Sequence, residues 1–215
     1  MKALLSICLL LALLSLVASL RCKTCFSCER TCRDEDVRTE ECGQDQDVCL
    51  SVSTNLTIWQ FPFAFTYKGC SRSDECNDGY YIASGVDDRY GQVKSRCCQT
   101  DECNVQNMYL PDYNSLKLNG FQCPSCFSTS WDHCDSQERT VQCRGTEDQC
   151  IELTFDLSLY GLPKQHINFR GCSNKELCFN PTGKTKYGNG LLVFDYDFIL
   201  CEKAKGSTKQ PETKE

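Results

Sequence analysis

Cysteine is the residue type in this sequence that could take part in the most chemistry, and it accounts for 20 of the 215 residues. Two Cys-x-x-Cys pairs, Cys22-Lys23-Thr24-Cys25 and Cys123-Pro124-Ser125-Cys126, have a spacing that zinc sites and thiol redox motifs use. Neither pair lies in a strand–helix–strand pattern, and cysteines this frequent are typical of disulfide scaffolds. We therefore expect structural disulfides here, with no metal ligand and no cofactor.

The two histidines, His133 and His166, are the other candidates for acid–base or metal chemistry. His133 follows an acid in Trp131-Asp132-His133-Cys134, but the sequence contains neither Gly-x-Ser-x-Gly nor His-Glu-x-x-His. We predict no catalytic residue and a protein that is not an enzyme. The formal net charge of −6 also argues against binding to nucleic acid.

Residues 1–19 have the pattern of a secretory signal peptide. Lys2 precedes an apolar run over residues 3–17, and the small residues Ala18 and Ser19 suit signal peptidase. The run is short for a membrane span, and the polar residues 203–215 offer no apolar tail for a lipid anchor. We expect a secreted, extracellular protein with no membrane anchor, in a compartment where disulfides are the default.

The cysteine spacing occurs twice along the chain, which indicates two homologous modules. Cys42 and Cys49 enclose six residues, and so do Cys143 and Cys150. We place the modules at residues 20–104 and 121–202, with a cysteine-free linker at 105–120 and a polar tail at 203–215. Modules of this size are too small to rely on a hydrophobic core alone, so disulfides must restrict the unfolded chain.

The segments between the cysteines predict β-strands. Residues 50–54, 151–155 and 191–194 are alternating or aromatic-rich runs, bounded by Gly, Asn, Asp and Pro. No long stretch with helical periodicity occurs after residue 19. The predicted fold class is all-β, with two tandem disulfide-rich modules from which short hairpins project.

The opening Leu20-Arg21-Cys22-Lys23-Thr24-Cys25 of the first module, and its closing Cys97-Cys98 pair and Cys103-Asn104, resemble the Ly6/uPAR (three-finger) domain. Two such modules without an anchor resemble the gamma-type phospholipase A2 inhibitors and related Ly6/PLAUR-domain proteins. This resemblance implies a non-catalytic protein that binds a secreted phospholipase A2 and occludes it. Sodefrin-precursor-like pheromones share the layout, so an extracellular signalling ligand for a receptor is the alternative.

The family pattern implies five disulfides in the first module and four in the second. The second module has no counterpart of the last disulfide of the first module, which closes a short loop. The first module has a surplus cysteine, Cys28. We expect Cys28 to be unpaired or to join two copies in a homo-oligomer, and the alternative is that Cys28 replaces Cys32 as the partner of Cys25. The implied pairs are Cys22–Cys49, Cys25–Cys32, Cys42–Cys70, Cys76–Cys97, Cys98–Cys103, Cys123–Cys150, Cys126–Cys134, Cys143–Cys172 and Cys178–Cys201.

An aromatic segment between Cys49 and Cys70 is the main candidate for partner binding, because aromatic side chains dominate binding hot spots. Packing of this segment against the other module is the alternative. Asn55-Leu56-Thr57 is the only glycosylation sequon and predicts a glycan on Asn55 beside the segment. Strand alternation places five aromatic residues on one face, namely Trp59, Phe61, Phe63, Phe65 and Tyr67.

Acidic residues crowd the region of the first finger. They could steer a basic partner, and the alternative is a solvated loop that keeps the protein soluble. These residues are Asp34, Glu35, Asp36, Glu40, Glu41, Asp45 and Asp47.

Overall fold

Alternating apolar and polar residues give the central strand of the second module one buried face and one more open face. In the strand Gln149–Leu159, Ile151, Leu153 and Phe155 are buried, whereas Glu152 and Thr154 between them are partly exposed. The computed structural model describes residues 19–57, 62–129, 134, 139–159, 162–179, 183–188 and 190–206.

Thirteen strands and one short α-helix lie within the described residues, which confirms the predicted all-β class. The first module contains β1 (Arg21–Ser27), β2 (Arg38–Glu41), β3 (Val48–Leu56), β4 (Phe63–Ser71), β5 (Gly79–Ser84) and β6 (Tyr90–Cys98). The second contains β7 (Leu118–Ser128), β8 (Arg139–Arg144), β9 (Gln149–Leu159), β10 (Gln165–Ser173), α1 (Lys175–Cys178), β11 (Gly183–Tyr187), β12 (Leu192–Lys203) and β13 (Lys205–Gly206).

The strands of both modules join in one sheet with the order β11-β12-β9-β10-β5-β6-β3-β4-β1-β2, and β7 pairs with β10, β8 and β13. The modules meet where β10 pairs with β5, through Cys172 opposite Ser84 and Ser173 opposite Ala83. Gly171 permits this approach, because a Cβ built on it would overlap the carbonyl oxygen of Ser84. The contact between the modules is therefore partly a main-chain pairing.

The main hydrophobic core is shared by the two modules. Leu50, Val52 and Phe65 of the first module pack in one cluster with side chains of the second, among them Leu153 and Phe194. Two smaller clusters lie at the cysteine-rich ends of the modules, around Cys22 and Cys49 in the first and around Cys123 and Cys172 in the second. Each module thus has a disulfide knot of its own, while the strands that extend from the two knots bury apolar surface jointly.

The predicted linker and tail each contain residues that belong to strands. β7 begins at Leu118, three residues before the predicted start of the second module, and its first paired residue lies opposite Arg144. At the other end β12 continues to Lys203, and β13 pairs with Gln122 and Phe121 of β7. Backbone groups at the two ends of the second module therefore pair across it, which composition alone does not reveal.

The predicted signal peptide falls almost entirely on residues 1–18, which lie outside the described residues. Within the described ranges, no helix has both the length and the apolar character needed to cross a bilayer.

Candidate binding surfaces

A groove on the first module brings the aromatic and acidic candidates of the sequence together. β1 lies between β2 and β4, and this arrangement sets Phe26 of β1 directly opposite Tyr67 of β4. The groove has a volume of about 290 Å3. We call it the finger groove, and it is lined by Thr24, Cys25, Phe26, Asp36, Arg38, Glu40, Tyr67 and Lys68.

The finger groove has an aromatic floor and an acidic rim. Phe26 is 51% exposed and its ring lies 6.1 Å from that of Phe65 beneath it. Burial raises the pKa of Tyr67 to about 12, and the carboxylate of Glu40 adds to this effect. Tyr67 therefore presents a neutral phenol at neutral pH, while Asp36 and Glu40 on the rim are exposed to solvent.

Lys68 lines the finger groove but does not offer its charge to a partner. It is 1% exposed, and its Nζ donates a hydrogen bond of 2.6 Å to the carbonyl of Val105. Burial lowers the pKa of Lys68, whereas the negative charge of Asp34 opposes this shift. The surface charge of the groove is accordingly set by Asp36, Arg38 and Glu40.

The predicted aromatic face does not lie on the surface as a whole. Phe65 is fully buried in the shared core, so it is not available to a partner, and this part of the aromatic-surface prediction is wrong. Phe63 and Tyr67 are partly buried and pack against the same core, as in the alternative that the sequence left open. Trp59 and Phe61 lie outside the described residues. Phe26, which sequence reasoning missed, is the exposed aromatic residue next to this segment, and its position between Cys25 and Cys28 gave no binding signal.

Of the nineteen cysteines that the structure describes, eighteen form nine disulfides, and the pairing is the one that the family pattern implies. Cys25 bonds Cys32, so Cys28 is left free and exposed. Each cysteine of the two Cys-x-x-Cys motifs is bonded to a cysteine outside its own motif, so all four are structural disulfide cysteines. The remaining pairs are Cys42–Cys70, Cys76–Cys97, Cys98–Cys103, Cys143–Cys172 and Cys178–Cys201.

Asn55 occupies a position that does not suit a glycan. It lies within β3, which is paired on both sides by β4 and β6, and it is only 3% exposed. A sugar on its Nδ2 would have to displace the neighbouring strands. The prediction of a glycan at this sequon is therefore not supported by the fold.

His166 pairs with acids on the open side of the second module. Its Nδ1 lies 3.0 Å from an oxygen of Asp156, and Lys164 Nζ lies 2.6 Å from the other oxygen of that carboxylate. Burial alone would raise the pKa of Asp156, but hydrogen bonds from Lys164 and His166 outweigh it and lower the pKa. Asp197, at a bulge in β12, brings a carboxylate oxygen within 4.8 Å of this pair. Lys164 already compensates Asp156, so we assign the cluster no catalytic role. His133 lies outside the described residues.

A buried carboxyl at the junction of the modules was not expected from the sequence. Glu147 is fully buried, and its Oε2 accepts a hydrogen bond of 2.8 Å from the backbone N–H of Arg144. Burial raises the pKa of Glu147 to about 6, although contacts with Ser84 of the first module and with Arg144 partly counter this. A lone acidic residue in a Gly-Thr-Glu-Asp loop carries no sequence signal that it will be buried.

The fold and these surfaces define a disulfide-knotted protein of two three-finger modules, and comparison with known proteins places it in a family. The family model of the phospholipase A2 inhibitors matches residues 20–105, and that of the u-PAR/Ly-6 domain matches residues 119–207. The two matches cover both modules, including the strand β7 that starts the second one.

Relatives match the chain across both modules. Phospholipase A2 inhibitor NAI from Notechis ater is 29% identical over 210 residues, which cover 98% of this chain and 100% of the relative. Phospholipase A2 inhibitor PIP from Malayopython reticulatus is 32% identical over 153 residues, 71% of this chain and 73% of the relative. The chain belongs to the phospholipase A2 inhibitor family. Among solved structures, mouse TEX101 is 13% identical with a TM-score of 0.31, over 79% of this chain and 87% of that one.

Proposed function

We propose that this protein is a secreted, non-catalytic inhibitor of a secreted phospholipase A2. The observation that carries the proposal is the similarity to proteins named phospholipase A2 inhibitors over nearly the whole chain. We also propose that residues 1–19 are removed on export as a signal peptide, which leaves modules at 20–104 and 121–202. The nine disulfides suit an oxidising, extracellular compartment.

We infer that inhibition occurs by occlusion, with the finger groove as the contact surface. Phe26 and Tyr67 offer an aromatic floor, and aromatic anchors near the centre of an interface contribute most of the binding energy in known complexes. Trp59 and Phe61, which precede Tyr67 in the chain, are proposed as further contact residues. Because disulfides hold the strands in place before binding, little conformational entropy is lost when the surface covers the enzyme.

The acidic rim supports a partner with a basic surface. Asp36 and Glu40 border the groove, and Asp34 and Glu35 are exposed beside it. Exposed charges of this kind speed the encounter with an oppositely charged partner and are screened by salt. We therefore propose that the rim raises the association rate, whereas the aromatic floor sets the dissociation rate.

The test is inhibition of a panel of secreted phospholipases A2 by the purified protein, with binding kinetics for any enzyme that responds. Phe26→Ala should weaken binding at least about tenfold, mainly through faster dissociation. Phe179→Ala is the matched control, because Phe179 is 72% exposed but lies on the second module. Glu40→Gln should slow association at low salt only. Absence of inhibition at micromolar protein across the panel would contradict the proposal and favour an extracellular signalling ligand.

A further inference from the structure

The central strands of the two modules differ in how they are covered. β3 of the first module is buried at every position, on both faces of the sheet. In β9, its counterpart in the second module, buried residues alternate with partly exposed ones. The inner face of each strand packs in the shared core, so the difference lies on the face that points away from it, which we call the outer face.

Residues 104–109 cover the outer face of the first module, and we call them the covering segment. The Asn104 side chain starts the contact: its Oδ1 accepts from Lys23 N–H at 2.8 Å, and its Nδ2 donates to the carbonyls of Lys23 and Leu50 at 2.8 and 3.1 Å. Further along, the carbonyl of Val105 accepts from Lys68. The carbonyl of Met108 accepts from Ser53 Oγ at 2.8 Å. This segment is thus held by the side-chain amide of Asn104 and by main-chain carbonyls of Val105 and Met108.

The second module has a groove of about 380 Å3 where this segment would begin. The cysteine register places Pro124 at the position of Lys23, Ile151 at that of Leu50 and Arg170 at that of Lys68, and all three line the groove. Proline has no N–H, so this module lacks the backbone donor that Asn104 satisfies in the first. The two carbonyl positions that receive the Asn104 amide are retained, which favours a donor side chain at this point.

Apolar side chains extend the groove across the sheet. Phe198 of β12 lies opposite Thr154 of β9, and Leu200 lies opposite Glu152, so all four side chains share the outer face. Phe198 is 44% exposed and Leu200 is 48% exposed. Arg170 is held in place by a 2.8 Å ion pair with Glu152. Glu152, Thr154, Arg170, Phe198 and Leu200 form what we call the open face.

We propose that the open face binds a peptide segment of a protein partner, which crosses the strands as the covering segment does on the first module. An asparagine or glutamine amide of the partner enters the groove beside Pro124 and Ile151. A main-chain carbonyl of the partner accepts from Arg170, as that of Val105 accepts from Lys68. An apolar side chain packs on Phe198 and Leu200. The occupant is a different protein rather than a second copy, because the covering segment of every copy is engaged on its own first module.

The first module supplies the probe. A fluorescein-labelled peptide with the sequence of residues 104–110, Asn-Val-Gln-Asn-Met-Tyr-Leu, is titrated with the intact protein and followed by anisotropy. We expect saturable binding that weakens about tenfold when the leading asparagine is replaced by alanine, because the peptide then loses its hydrogen bonds to two carbonyls. Leu200→Glu should weaken binding by a similar factor. Leu162→Glu is the matched control, because Leu162 is 53% exposed and lies in the β9–β10 turn.

Several results would overturn the proposal. No saturation at millimolar peptide would do so, and so would equal binding by the Leu200→Glu and Leu162→Glu variants. A monomer–dimer equilibrium that Leu200→Glu abolishes would identify a second copy as the occupant. Binding by a variant that ends at Gly206, but not by the full chain, would identify the chain's own terminal residues as the occupant. None of these outcomes depends on phospholipase inhibition, so the peptide-binding proposal and the proposed function are tested independently.

Discussion

The side-chain amide of Asn55 donates a hydrogen bond of 3.2 Å to the hydroxyl of Tyr90 inside the sheet. Tyr90 is itself 7% exposed and stacks on Tyr113 with ring centroids 4.1 Å apart. Thr57, the last residue of the sequon, accepts a hydrogen bond of 2.7 Å from Tyr90 N–H. The sequon is thus part of the pairing between β3 and β6, and its amide nitrogen already has a partner.

We predict that the folded, secreted protein carries no glycan on Asn55. Expressed in mammalian cells, the protein should have the same mass before and after digestion with peptide-N-glycosidase, because the buried Nδ2 cannot hold a sugar without opening the sheet. A variant with Asp34→Asn and Asp36→Thr provides the positive control, since it places a sequon at exposed positions of the same module. A glycan found on Asn55 in the folded wild-type protein would contradict the structure around Tyr90.

The stability of the protein should depend on the protonation of Glu147. Burial raises the pKa of Glu147 to about 6 in the folded protein, above its usual value of 4.5, so the folded state binds the proton more tightly than the unfolded chain. Protonation therefore stabilises the fold: this contribution is lost as pH rises through about 6 and is regained as pH falls towards 4.5. The shift corresponds to about 2 kcal/mol between pH 7 and pH 4.5.

Denaturant unfolding with the disulfides intact would measure this effect. Glu147→Gln keeps the shape of the side chain and removes the charge, so the variant should be more stable than the wild type at pH 7 and nearly equal to it at pH 4.5. Glu202→Gln is a suitable control, because Glu202 is exposed at the end of β12. If the difference between wild type and Glu147→Gln did not change with pH, the carboxyl would not be titrating at the junction.

Cysteine spacing made the modular fold predictable, because a disulfide framework repeated in sequence must be repeated in space. The alternation in residues 151–155 likewise predicted the buried face of β9. These patterns could not reveal which other segments of the chain cover each face of the sheet. The sequence leaves Phe65 between a contact surface and packing against the other module, and it predicts a glycan on Asn55. In the structure Phe65 packs in a core shared with the second module, and the Asn55 amide donates a hydrogen bond to Tyr90. Their burial depends on contacts between segments that are distant in sequence, which local periodicity does not encode.

Among the cysteines that the structure describes, Cys28 should behave as the single accessible thiol. It is free and exposed, while Cys25 and Cys32 on either side are bonded to each other. The native protein should react with one equivalent of a thiol reagent, or run as a dimer on a non-reducing gel if Cys28 has joined two copies. Cys28→Ser should abolish both properties. Two reactive thiols in the Cys28→Ser variant would mean that one of the nine disulfides is open, and would contradict the pairing seen in the structure.

The junction between the modules should be far more sensitive to an added methyl group than the equivalent place within the first module. Gly171 and Gly69 each precede a cysteine at the same place in their modules, Cys172 and Cys70. A Cβ on Gly171 would overlap the main-chain oxygen of Ser84, which is fixed by the β10–β5 pairing, whereas a Cβ on Gly69 would meet the end of the Tyr67 side chain. A side chain can rotate away at little cost, but a paired backbone cannot.

Gly171→Ala should therefore lower the free energy of unfolding by about 2 kcal/mol or more, and Gly69→Ala by clearly less. Both values follow from denaturant unfolding with intact disulfides. Amide hydrogen exchange would show where the variant is destabilised. In Gly171→Ala, exchange should accelerate at the amides of Ala83 and Ser84 and not at those of β1 and β2. Equal destabilisation by the two variants, with no change in exchange at β5, would mean that the modules are not joined through this pair of strands.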